Sequence, residues 1–224
     1  MAEEGDQETV GRSGGPAPSA RMPMDRFTAF SDGVFAIAIT LLVLELHVPT
    51  GKEPLLPALV EQWPEFLGYL MSVAFIGGIW ISHSGMTKLM RHADVVSYGI
   101  DLLVMLFVGI LPFATNLMVT HLSGPDSGVA VLLYGVNVLL ASVALSMLMA
   151  YIARERSLVV DGVADATLQA KVRQRWWLIG LAVAGVVIAA IAPAVAVGLY
   201  LAMTIVGLIL PMLVMRHHRP AHGA

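Results

Sequence analysis

Residues 26–47, RFTAFSDGVFAIAITLLVLELH, open with charge and hydroxyl and then run apolar for the width of a membrane. Between Gly33 and Leu44 there is no charged side chain, and as a helix the segment is long enough to cross a hydrocarbon core of about 30 Å. Arg26, Ser31 and Asp32 stand at one end and Glu45 at the other. With successive residues about 100° apart on a helical wheel, Gly33, Ile37, Leu41 and Leu44 fall on one stripe with Thr40 at its edge, and Asp32 lies roughly opposite. Such a helix either packs or lines a pore, and the pattern alone leaves both open.

The rest of the chain has the same character. Of 224 residues 57% are hydrophobic and only 13% charged, with a mean hydropathy of +0.78, which lies well outside the range of soluble domains. An all-α integral membrane protein is predicted. Apolar runs recur at residues 34–46, 66–87, 98–119, 129–152, 176–193 and 195–215, giving six transmembrane helices. The last two are separated only around Pro193, and a single helix through both would be roughly twice the bilayer core. Residues 1–22 read as a disordered cytoplasmic tail, 23–216 as one six-helix domain and 217–224 as a second tail.

Orientation follows from Lys and Arg in the short loops. With six spans, twelve of the thirteen basic residues fall on one side and only Lys52 on the other. Both termini are therefore expected in the cytoplasm, in the cell (plasma) membrane. There is no cysteine, which excludes disulfides and thiolate metal sites. The DGVADATLQAKVRQR segment (161–175) is expected as a short helix on the inner membrane surface. The terminal RHHRPAHGA is weak ground for a metal site, and no cofactor is expected.

Chemistry-bearing side chains are few. An acid at the centre of a span costs about 2.5–3.5 kcal/mol on insertion scales, so Asp32 needs an interfacial place or a partner, with Arg26, Ser31 and His83 as candidates. A clamp holding the first helix is preferred over a direct role in transport, because Asp32 faces away from the stripe. His83 reads as a hydrogen-bonding partner of a neighbouring helix rather than a ligand. Ser82, His83 and Ser84 come without a Gly-x-Ser-x-Gly elbow, and no paired catalytic carboxylates lie on neighbouring spans, so an enzyme is not expected. The stripe itself, on composition alone, reads first as lipid-facing or core.

The run Arg26-x-x-x-Phe30-Ser31-Asp32-Gly33 followed by VFAIAITLLVLELHVP resembles the first-helix signature of the transmembrane protein 175 family of potassium channels. Trp80 with Ser82-His83, and Leu111-Pro112-Phe113-Ala114-Thr115, look like later segments of that family, although Ser82-His83-Ser84 and Ala114 depart from its common pattern. Members with one six-helix unit assemble as tetramers, and the Phe-Ser-Asp motif occurs once here, so the resemblance implies a homotetramer with the first helices around a central pore. It further implies that Ile37, Leu41 and Leu44 form rings past which K+ moves, with Thr40 aiding selectivity. Arg26, Phe30, Ser31, Asp32 and His83 then form a polar network that holds the pore helix.

A Thr-Val-Gly-Tyr-Gly filter is absent, so selectivity cannot come from a carbonyl cage. Rings of Ile and Leu can gate by dewetting instead. The expected function is passive K+ conduction, with further copies of the chain, the lipid bilayer and potassium ions as partners and no nucleic acid. The competing readings are a proton-coupled secondary transporter using Asp32 or His83 as a proton relay, and a structural or sensor membrane protein.

Overall fold

The computed structural model describes residues 23–51 and 54–217, with side chains through Gly207. The two tail segments 1–22 and 218–224, together with Lys52, lie outside the described residues. Where the chain is described it is helical: α1 (Met24–Leu42), α2 (Leu55–Glu61), α3 (Trp63–Thr87), α4 (Val95–His121), α5 (Ser127–Arg154), α6 (Asp165–Ala189) and α7 (Pro193–His217). Five of these, α1 and α3 to α6, are long and apolar enough to cross a membrane by length and composition. In α7 the described apolar stretch is Pro193–Gly207.

Local chemistry sets the boundaries. α1 follows Pro23, carries Asp25 in its first turn and tightens into a 3-10 turn at Val43–Glu45. Proline near the start of α3 and at the start of α7 costs nothing, because first-turn N–H groups have no intrahelical partner. The break before Pro193 separates α6 from α7, as the apolar run's length requires.

α4 begins with a capping box in which Asp94 accepts from the Ser97 backbone N–H at 2.8 Å and the Ser97 hydroxyl accepts from the Asp94 backbone N–H at 2.9 Å. The Tyr151 hydroxyl at the end of α5 also donates to Asp94, at 2.6 Å. Burial raises the Asp94 pKa, but the hydrogen bonds from Tyr151 and Ser97 outweigh it and hold the carboxyl below its usual value.

α6 differs from the expectation for its N-terminal part. The DGVADATLQAKVRQR segment does not form a separate surface helix: from Asp165 it is continuous with the apolar helix up to Ala189. No proline or glycine interrupts residues 165–179, so nothing in the backbone forces a break.

α3 and α5 each pack against four other long helices, α3 against α1, α4, α5 and α7 and α5 against α3, α4, α6 and α7, whereas α1 packs chiefly on α3 and α4. Lipid tails are as apolar as side chains, so association inside a membrane relies on close packing and interhelical hydrogen bonds. Both are present. Ser72 on α3, Thr115 on α4 and Tyr134 on α5 meet in the interior, with Ser72–Thr115 oxygens 2.7 Å apart and Ser72–Tyr134 oxygens 3.3 Å apart. Asn137 donates to the Phe107 carbonyl, on the turn before Pro112, at 3.1 Å.

Two glycines on neighbouring helices make a slot for α7. The Tyr200 ring lies against Gly135 of α5 and Gly185 of α6, where an added Cβ would collide with it. Its hydroxyl is buried with no hydrogen-bond partner among the described residues. On the Arg/Lys-rich side, the α3–α4 and α5–α6 connections are tied by a bridge between Met90 and Val159 and by the Arg91–Asp161 ion pair.

Candidate functional site

α1 presents two unlike faces. Phe27, Ser31, Phe35, Ala38 and Leu42 recur at helical spacing and are buried against the bundle. The other face is open: Ile37 is 60% exposed, Leu41 42% and Leu44 73%. Phe30 and Thr40 lie on the exposed side too, and the Thr40 hydroxyl turns back to donate to the Ile37 carbonyl at 2.8 Å. Among the described residues of one chain, the row that the helical wheel drew therefore has no covering partner.

The buried face is fastened by a polar cluster around an acid to which the sequence analysis gave no role. Asp101 of α4 is 3% exposed. One carboxylate oxygen accepts from the Ser31 hydroxyl at 2.6 Å, and the other lies 2.7 Å from His83 Nε2 on α3. The rings of Phe27 and Phe35 flank His83 with centroids 6.0 and 5.5 Å away. Three helices meet at this buried contact, in which Asp101 bridges Ser31 and His83. The signal was available: a lone acid inside a 27-residue apolar helix calls for a named partner.

Asp32 is not part of this cluster. It is exposed, and its partner is Trp80 of α3, whose indole N–H donates to it at 2.8 Å. None of its expected partners, Arg26, Ser31 or His83, holds it; Ser31 and His83 are both committed to Asp101. Arg26 is exposed and forms no ion pair among the described residues. Asp32 and His83 hydrogen-bond to different partners, although both line a cavity of about 210 Å³ beside the start of α1.

The far end of α1 is tied as well. Glu45 accepts from the Asn116 side chain on α4, and Glu65 of α3 accepts from the His47 backbone N–H at 2.9 Å. These side chains were not singled out from sequence. Among the described residues, no group of three or more His, Asp or Glu side chains could hold a metal ion.

The chain was compared with known proteins. The sequence model of a family described as endosomal/lysosomal potassium channel TMEM175 matches residues 26–112, from α1 to Pro112 of α4. A potassium channel of Chamaesiphon minutus is 40% identical over 113 residues, 49% of this chain and 56% of that one. A potassium channel of Streptomyces collinus is 39% identical over 99 residues, 43% and 48% of the two chains. The endosomal/lysosomal proton channel TMEM175 of Bos taurus is 38% identical over 100 residues, covering 40% of this chain and 21% of that protein. The chain thus aligns with about half the length of the two bacterial relatives.

Among solved structures, a lysosomal potassium-selective channel TMEM175 homologue from Chamaesiphon minutus superposes with a TM-score of 0.76 at 30% identity, covering 84% of this chain and 97% of that one. The T38A variant of the potassium channel MtTMEM175 superposes with a TM-score of 0.60 at 15% identity, a likeness of fold alone.

Proposed function

The chain belongs to the TMEM175 family, a family of ion channels and not of enzymes, and from that premise we propose that it is a potassium channel of the cell membrane. It acts as a homotetramer of six-span subunits with both termini in the cytoplasm. Residues 23–216 form the channel domain, and α1 from each subunit lines a central pore. The observation that carries this reading is the row Ile37, Leu41 and Leu44, exposed on a helix whose opposite face is pinned by the buried Ser31–Asp101 hydrogen bond. Four such rows facing one another would give the open face of α1 a partner of its own kind.

In that arrangement Ile37, Leu41 and Leu44 form apolar rings that hold too little water to hydrate an ion, so they constrict the pore by dewetting. Thr40 supplies hydroxyl oxygens between them that replace part of the lost hydration, and K+, which sheds water more readily than Na+, crosses at lower cost. Arg26 and Phe30 stand at the entrance. Ser31 and His83 fix the helix through Asp101, and Asp32 does so through Trp80.

A proton-coupled transporter using Asp32 or His83 is the reading against which the channel is tested. The test is the reversal potential of reconstituted protein in planar bilayers, with K+ on one side and Na+ on the other. A channel of this kind reverses toward the K+ equilibrium potential without any proton gradient. Flux that vanishes when the proton gradient is collapsed would overturn the reading.

A further inference from the structure

We propose that a cavity closed by Arg175 is a binding site for a phosphate-type oxyanion, with the headgroup phosphate of an anionic phospholipid as its occupant. The inference does not rest on the channel reading. The cavity, about 50 Å³, lies where α3, α5, α6 and α7 meet, and Ser82, Ser142, Arg175 and Thr204 supply its polar lining. One water needs about 10–15 Å³ of such space, so the volume takes a few waters or a single tetrahedral anion.

Arg175 is the reason for choosing the anion. Its side chain is only 7% exposed. Nε donates to the Ser146 hydroxyl at 2.8 Å and Nη2 to the Ser142 carbonyl at 3.4 Å, both neutral acceptors. No carboxylate among the described residues forms an ion pair with it. A guanidinium carries five N–H donors in a planar fork that matches oxyanions bidentately, and a buried charge needs compensation by a partner. Three donors and the positive charge are left over at the edge of a cavity that has room for the complement.

The surroundings select the source of the anion. Lys171 and Arg173 precede Arg175 on α6, and the next two residues, Trp176 and Trp177, are 66% and 79% exposed. Exposed tryptophans beside basic residues mark the headgroup level of a membrane. Basic pockets between helices at that level receive anionic headgroups. Thr204 donates its own hydroxyl proton to the Tyr200 carbonyl at 2.8 Å, so toward the cavity its oxygen acts as an acceptor, able to take a hydrogen bond from a protonated phosphate or an ordered water.

The experiment is native mass spectrometry of the full-length protein in detergent, with phosphatidylglycerol, phosphatidylcholine or inorganic phosphate added, alongside thermal melting. Wild type is expected to retain phosphatidylglycerol at least tenfold more strongly than phosphatidylcholine and to melt higher in its presence. Arg175→Gln should lose that retention, and Arg175→Lys should keep part of it. Thr204→Leu, which fills the cavity and leaves the cation in place, should lose it too and decides the matter should Arg175→Gln fail to fold. Stabilisation by inorganic phosphate to the same degree would keep the oxyanion site and overturn the lipid as its occupant. Phosphatidylglycerol retention unchanged in Thr204→Leu and in folded Arg175→Gln would overturn the site, leaving Arg175 as a strut between α6 and α5.

Discussion

Taking out the acid of the buried cluster and its histidine together should cost no more than taking out the acid alone. Asp101→Ala removes hydrogen bonds of 2.6 Å to Ser31 and 2.7 Å to His83 and leaves a histidine that is 1% exposed without a partner. Removing one member of a buried pair costs about 3–5 kcal/mol, so about 4 kcal/mol is expected. His83→Phe keeps a ring between Phe27 and Phe35 but leaves the carboxylate with Ser31 alone; one lost hydrogen bond to a charged group, plus the stranded charge, comes to about 3 kcal/mol. In the double variant neither polar group is stranded, and the total should stay at about 4 kcal/mol, well short of the sum of about 7. Equilibrium unfolding in mixed detergent micelles, followed by circular dichroism, measures all three. A double variant whose loss equals the sum of the singles within about 0.5 kcal/mol would show that Asp101 and His83 act independently, and the clamp would be refuted.

Ile37→Asn should wet the proposed constriction, raising single-channel conductance several-fold and weakening the K+-shifted reversal potential in planar bilayers; unchanged conductance and ion preference would remove Ile37 from the pore. Gly135→Ala and Gly185→Ala place a methyl group against the Tyr200 ring and should each destabilise by about 1–3 kcal/mol, as overpacked sites do, read as a lowered melting temperature that Tyr200→Ala partly restores. Because the Asp94 carboxyl is held below its usual value, its contribution to stability is present above the ordinary carboxylate range and is lost as pH falls through the lowered value. The melting-temperature gap between wild type and Asp94→Asn should therefore be widest near neutral pH and close on acidification, and a gap that widens in acid would contradict the assignment.

What could be read from the sequence was whatever each helix reports about itself. The apolar lengths, the division at Pro193 and the row Ile37, Leu41 and Leu44 are properties of one segment and its periodicity. Pairings between segments were not legible. Asp32 was set beside Ser31 and His83 because all lie at a similar depth, but depth does not fix azimuth, and the rotation of α3 brings Trp80 to Asp32 and His83 to Asp101. Arg175 was hidden for a related reason. In the sequence it closes a segment that reads as a short helix on the membrane surface, and only the continuity of α6 from Asp165 to Ala189 carries it into the bundle beside Ser142 and Ser146.

α1 is held at two levels, by Ser31 and Asp32 near its start and by Glu45 just beyond its end. Mechanically it is a beam clamped at both supports. Axial sliding, or a turn about its own axis, would break hydrogen bonds at one support before it displaced Ile37 or Leu41. In the proposed channel the inexpensive degrees of freedom are therefore two: side-chain rotation within the rings, and the rigid tilting of whole subunits that carry their beams with them. Opening is then a change in how four subunits lean on one another, and a stimulus that acts on their mutual contacts has more leverage than one that pulls on the pore helix.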